Sequence, residues 1–277
     1  MPELPEVECL TRSVRKYLDG FTCESVEVMQ PHLRDVVDIA HVQRVLKKQK
    51  IIGVTRRSKY LLIESPKGTC VIHLGMSGQL LAAKQPEIQH KHTHARFAFS
   101  NAKGVVKWLH FVDPRRFGMI GAVSPRDLPE HQWFKDLGPE PLATRNLWRH
   151  LLQRARGRKQ PVKVFLMDAG HVVGVGNIYA SESLFRAGIS PLREVGSLSE
   201  AEFKTLDSCI KATLRAAIAA GGTTIRDYRN STGERGYFAV RLAVYDREDE
   251  PCVQCQRPVS ACRQGGRSTF YCAACQS

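Results

Sequence analysis

Lys59-Tyr-Leu-Leu-Ile-Glu-Ser-Pro-Lys-Gly-Thr-Cys-Val-Ile-His-Leu74 holds two apolar runs, Lys59 to Glu64 and Thr69 to Leu74, on either side of a turn-forming Ser-Pro-Lys-Gly. That spacing predicts an antiparallel hairpin. A second hairpin is predicted for Arg96 to Ser100 and Val105 to Phe111, around Asn-Ala-Lys-Gly. Residues 21–120 therefore read as an antiparallel, hairpin-rich domain. Upstream, Val7, Leu10, Val14 and Leu18 recur at helical spacing. Pro5 suits a first turn, Gly20 supplies a stop, and Glu6 and Glu8 fall at the positive end of the helix dipole. Downstream, Pro125, Pro129, Gly138, Pro139 and Pro141 break all periodicity, as in a linker. Helices follow: one on Leu147, Leu151, Leu152 and Ala155, and a long one opened by the capping box Ser199-x-x-Glu202 and stopped by Gly221-Gly222. The expected class is α+β and multidomain, divided into 1–135, 136–247 and 248–277.

The chain has 277 residues, enough for more than one core, and 41 Lys plus Arg against 27 Asp plus Glu, a formal net charge of +14. Such an excess points to a polyanionic partner, nucleic acid first. It is not confined to a tail. Acid-free stretches at 39–63, 88–112 and 141–167 carry seven, four and seven bases. No apolar run approaches the roughly 20 residues of a membrane span. The acidic start, Met1-Pro-Glu-Leu-Pro-Glu-Val-Glu8, lacks the basic and then apolar pattern of an export signal, so a cytoplasmic, nucleoid-associated location is expected.

Of nine cysteines, Cys9, Cys23, Cys70, Cys209 and Cys262 are scattered. The other four form Cys252-Val-Gln-Cys255 and, after sixteen intervening residues, Cys272-Ala-Ala-Cys275, the spacing of two turns that each present two thiolates to a tetrahedral Zn2+. Four protein thiolates leave no open coordination position, so one structural zinc ion is expected. A thirty-residue unit has too small a core to fold without it.

Three motifs then converge. Pro2-Glu3-Leu4-Pro5-Glu6-Val7-Glu8, Gly174-Val-Gly-Asn177-Ile-Tyr-Ala-Ser-Glu182, and Gly266-Arg267-Ser-Thr-Phe-Tyr-Cys272 with its cysteine pairs together resemble bacterial formamidopyrimidine-DNA glycosylases, of the formamidopyrimidine/endonuclease VIII family. The resemblance runs from Pro2 to Gln276. It implies an N-terminal β-sandwich, a helix-two-turn-helix domain and a zinc finger, with duplex DNA lying in a cleft between the halves of a monomer. It also implies excision of oxidised purines such as 8-oxoguanine and formamidopyrimidines, followed by β,δ-elimination at the abasic site.

The chemistry of the first motif suits that reading. A chain opening Met-Pro is expected to lose Met1, leaving Pro2 with a secondary amine whose reference pKa is about 8. Such an amine can attack a sugar C1′ and form a charged iminium that acidifies the neighbouring sugar protons. Glu3 stands beside it to move protons, with Glu6 a secondary candidate.

By the same resemblance, Lys59 reaches phosphate and lesion, Asn177 and Arg267 hold the phosphates flanking the lesion, Lys163 supports the lesion region, and His92 approaches phosphate. Met76, Arg115 and Phe117 fill the gap left by the flipped nucleotide, which costs roughly a few kcal/mol to unstack. Taken singly, Met76 and Phe117 would pass for core residues. The segment Gly221 to Phe238, with Thr223, Thr224 and Tyr237, resembles a loop that covers a flipped purine. Together with Leu4, that loop favours the oxidised-purine branch over the endonuclease VIII type. A non-catalytic, zinc-containing DNA-binding protein is the alternative of another class, and retention of Pro2 and Glu3 speaks against it. Two decoys are set aside. His90-Lys-His92-Thr-His94 reads as a polar strand-edge turn, and Gly174-Val-Gly176 has Tyr179 where a dinucleotide loop needs a third glycine.

Overall fold

The computed structural model describes residues 2–86, 90–222 and 242–277. They fall into two compact units, 2–135 with 221–222, and 136–220 with 242–277.

The first unit opens with α1 (Leu4–Leu18), then β1 (Thr22–Val28), α2 (Ile39–Leu46), β2 (Gln49–Lys50), β3 (Gly53–Arg57), β4 (Tyr60–Ser65), β5 (Gly68–His73), β6 (Gln79–Ala83), β7 (Thr93–Ser100), β8 (Val106–Val112) and β9 (Met119–Val123). Both expected hairpins form. β4 and β5 pair from Tyr60↔His73 to Ser65↔Gly68, and β7 and β8 pair from Thr93↔Val112 to Ser100↔Val106. The strands make two antiparallel sheets, in the orders β2-β1-β7-β8-β6 and β3-β4-β5-β9. One core joins them: Val26, Phe97, Phe99, Leu109 and Phe111 from the first pack with Val54, Leu61, Ile63, Ile72 and Ile120 from the second. The apolar stripe of α1 (Val7, Leu10, Val14, Leu18) enters the same core, so the amphipathic period read from the sequence is the packing surface. Lys59 differs from its strand-start expectation. It sits in the two-residue turn between β3 and β4, after Ser58 at φ +54°.

Residues 124–135, read from sequence as part of a linker, pack back on the first unit. The rings of Phe134 and Tyr60 meet edge-on at 5.3 Å, and Trp133 leans so close to Gly121 of β9 that a Cβ there would lie 2.2 Å from its ring.

The second unit holds α3 (Leu147–Ala155), α4 (Val162–Met167), α5 (Asn177–Ala187), a short 3-10 turn (Val195–Ser197), α6 (Glu200–Ala219), β10 (Ser260–Gln264) and β11 (Arg267–Tyr271). The capping box is present: the Glu202 carboxylate accepts from the Ser199 amide at 2.7 Å, and the Glu202 amide donates to the Ser199 hydroxyl at 3.3 Å. The cysteine-bearing segment shares a core with α5, in which Phe185 packs with Val244, Cys252, Val259, Phe270 and Cys272.

Candidate active site and nucleic-acid interface

Pro2 and Glu3 are buried at the start of α1, with Glu3 at the N-cap and 2% exposed. The Glu6 carboxylate, itself fully buried, accepts the Glu3 backbone N–H at 2.8 Å. It thereby fixes the backbone that presents both residues. Gly222, at φ +90°, comes so close that an added Cβ would lie 3.4 Å from Glu6. Two residues further along α1, Glu8 is bonded to Arg56 at 2.9 Å and Arg12 at 2.8 Å. Burial raises its pKa, but these two bonds outweigh that and hold the carboxyl below its ordinary value. Arg56 also donates to the Ser58 carbonyl at 2.8 Å, so one guanidinium ties the first turns of α1 to the turn that carries Lys59. Cys9 is partly buried, and burial together with the Glu6 charge pushes its thiol up to about 11. It is held as the unreactive thiol.

His73 connects this cluster to the next. Burial, then the charges of Arg34 and Lys59, lower its pKa to about 4. The neutral ring accepts the Gly75 N–H on Nδ1 at 3.0 Å. Beyond it, Met76 and Phe117 stand exposed, at 43% and 45%, which settles against a core role for either. The Arg115 guanidinium lies 4.8 Å from the centre of the Phe117 ring.

What assembles these tips is Asp113, fully buried. Its carboxylate accepts from the Ser77 hydroxyl at 2.6 Å, the Arg115 amide at 3.2 Å and the Gly118 amide at 2.7 Å. Its backbone N–H donates to the His92 carbonyl at 3.0 Å, and its carbonyl bonds His94 Nε2 at 2.7 Å. Met76, His92, Arg115 and Phe117 thus project from chain segments gathered on one buried carboxylate residue. Gly75, at φ +60°, lies flat against Phe117, where a Cβ would approach the carbonyl to 2.4 Å.

In the second unit, Asn177 opens α5, with its side-chain oxygen buried and without a hydrogen-bond partner among the described residues. Arg267 is exposed where β11 leaves the turn made by Gly265 and Gly266, at φ +53° and +75°. Lys163 is 1% exposed. Its ammonium donates to the Ser268 carbonyl at 2.8 Å and the Thr269 hydroxyl at 2.7 Å. Both bonds go to the strand that carries Arg267. Thr223, Thr224 and Tyr237 lie outside the described residues.

The four cysteine sulfurs lie within 4.8 Å of one another. Cys252 and Cys275 are 3.9 Å apart, and Cys255 and Cys272 are 3.5 Å apart. A disulfide requires about 2.05 Å. The edge of a tetrahedron with 2.3 Å metal–sulfur bonds is about 3.8 Å. The donor set and its spacing fit a closed four-thiolate metal site.

The family model for the formamidopyrimidine-DNA glycosylase N-terminal domain matches residues 1–120, and that for the H2TH domain of the same enzymes matches 137–229. The chain belongs to the formamidopyrimidine-DNA glycosylase family. Among relatives of this glycosylase, one from Marinomonas sp. (strain MWYL1) is 44% identical over the full length of both chains. A Lactococcus lactis Fpg solved with DNA containing an abasic site superposes with a TM-score of 0.88, at 30% identity over 99% of each chain. A MutM solved with DNA containing carbocyclic 8-oxo-G gives 0.88 and 30% over all of both chains.

Three supports in this glycosylase escaped the sequence reading: Asp113, the Arg56–Glu8 pair, and Glu182. The last is 2% exposed on α5 and accepts the backbone N–H groups of Ala243, Val244 and Tyr245 at 2.9, 2.9 and 3.0 Å. Only Asp113 left a sequence signal. An Asp-Pro pair five residues before a glycine is a turn whose carboxylate can cap its own backbone.

Proposed function

We propose that this chain is a bifunctional base-excision-repair glycosylase. It removes oxidised purines, 8-oxoguanine and formamidopyrimidines, from duplex DNA and then cleaves the abasic site by β,δ-elimination. The observation that carries the reading is the buried Pro2-Glu3 pair, held by the Glu6 carboxylate at the first turn of α1.

With Met1 removed, the Pro2 amine attacks C1′. The C1′–N bond breaks, and the base departs with a proton. Glu3 protonates the sugar ring oxygen, the ring opens, and the nitrogen lone pair forms the iminium. That cation acidifies the C2′ protons, so the 3′ phosphate leaves, followed by the 5′ phosphate. Lys59, on the turn clamped by Arg56, binds phosphate at the lesion. Asn177 and Arg267 hold the flanking phosphates, and Lys163 acts through Arg267 by fixing Ser268 and Thr269. Met76, Arg115 and Phe117 occupy the vacated stack, with His92 toward the backbone. Thr223, Thr224 and Tyr237 contact the flipped base. Cys252, Cys255, Cys272 and Cys275 hold one zinc ion whose contribution is structural. The working protein is a cytoplasmic, nucleoid-associated monomer.

Borohydride added during reaction with 8-oxoguanine-containing duplex should trap a covalent adduct at the N-terminus. Pro2→Gly should retain a weaker adduct through its primary amine, and an extra residue ahead of Pro2 should abolish it. Correctly processed protein that gives no adduct would overturn the reading. Faster release of thymine glycol than of 8-oxoguanine would move it to the oxidised-pyrimidine branch.

A further inference from the structure

The acid-free stretch 141–167 carries seven bases, and the buried Lys163 accounts for only one. Arg154 bonds His171 Nδ1 at 3.4 Å, and Arg158 donates to the Arg154 carbonyl at 2.6 Å, so both serve the local fold. Arg145, Arg149, Arg156 and Lys159 remain, all exposed, with the Arg149 guanidinium 5.1 Å from the centre of the Trp148 ring. Helix α3 buries Leu147, Leu151 and Ala155. At about 100° per residue, Arg149, and Arg156 at the C-cap just past the last helical residue, fall on the opposite side. They are followed by Lys159 and preceded by Arg145.

Among the described residues, no carboxylate stands within ion-pairing distance of these four. On α6 the pattern differs, because Lys204 pairs with Glu200 and Lys211 with Asp207, each one turn away. Helix stability does not account for the α3 ridge. Cations are favourable at a helix C-terminus, which covers Arg156, but Arg149 lies in the first turn and Arg145 just before it, at the positive end of the dipole. A field left unneutralised there is matched by an external polyanion. Arg149 and Arg156 are seven residues apart, about 10 Å along a helix axis, which is the rise of about three phosphates on one strand of duplex DNA.

We propose that the α3 ridge of Arg145, Arg149, Arg156 and Lys159 is a second contact for the backbone of duplex DNA, engaged on undamaged sequence and separate from Asn177 and Arg267. This rests on the proposed function only in taking duplex DNA as the polyanion.

The test measures binding of R145Q/R149Q/R156Q/K159Q to an undamaged duplex across salt concentrations, beside single-turnover excision at saturating enzyme. Each lost phosphate contact lowers the slope of log K against log salt by about 0.9. A slope reduced by roughly 2 to 4, with affinity at least tenfold weaker at low salt and excision unchanged, is expected. R145K/R149K/R156K should keep the wild-type slope, because it keeps the charge. An unchanged slope overturns the proposal. So does a lysine variant as weak as the glutamine one, which would mean the guanidiniums serve the fold. Loss of single-turnover excision with an unchanged thermal midpoint also overturns it, by assigning the ridge to the lesion site. If the wild-type protein excises nothing yet the slope still falls, the ridge stands and the enzymatic reading fails.

Discussion

The loops around Asp113 and the hairpin that carries Arg267 present their proposed DNA contacts in the same way, exposed at the tips of short turns, but they are held by different physics. In the first, a buried carboxylate accepts from two amides and a hydroxyl, and the hub exists as soon as the chain folds. In the second, Lys163 and Glu182 fasten the outer strand and the 243–245 backbone, while the far side of the segment depends on four thiolates that repel one another unless a cation lies between them. One region is self-sufficient, and the other, with the zinc ion proposed for it, is conditional on metal.

Metal removal probes that difference most strongly. Zinc-dependent units of this kind draw about 10 kcal/mol or more of folding energy from the ion. Chelation, or Cys255→Ser, should therefore unfold the β10–β11 segment and weaken binding to abasic-site DNA by about a hundredfold or more, about 3 kcal/mol at 1.4 kcal/mol per tenfold. Hydrogen exchange should still find the β4 and β5 amides protected. If their protection were lost as well, the two regions would not be separable.

A smaller effect is expected from Asp113→Ala, which strands a hydroxyl and two amides beneath the surface at about 1–3 kcal/mol for each group left without an acceptor. A total loss of about 4 kcal/mol in urea unfolding is expected, with zinc content unchanged. A loss under 1 kcal/mol would mean that other groups assemble the tips.

The smallest effect is titration of His73. Its folded pKa of about 4 lies below the ordinary 6.5, so protons favour the unfolded chain. Stability should be complete above pH 6.5 and decline as the pH falls through 4, by up to about 3 kcal/mol at 1.36 kcal/mol per unit. His73→Gln should flatten that part of the pH profile. An identical profile in the variant would assign the acid sensitivity elsewhere.

How far the sequence could be read follows from how far apart the partners lie along the chain. The β4–β5 hairpin, the Ser199–Glu202 box and the cysteine pairs are local patterns, and each forms where the spacing places it. Glu182, by contrast, meets its amides 61 to 63 residues away, and Arg56 meets Glu8 at a separation of 48. No period or spacing rule reaches that distance. Lys163 shows the complementary case: the resemblance singled the residue out, but only the fold shows its ammonium turned inward, 105 and 106 residues along the chain, onto the strand of Arg267.

The missing side chain of Gly75 has a consequence for how this protein can change. Because nothing separates its backbone from Phe117, the Met76 tip and the Arg115–Phe117 tip keep a constant gauge, like two prongs cast on one shank. Substitution can reshape either prong and, on the void-filling role proposed for them, retune which neighbouring bases they meet. A change at Gly75 itself would widen the fork, and no alteration at the tips could restore its width.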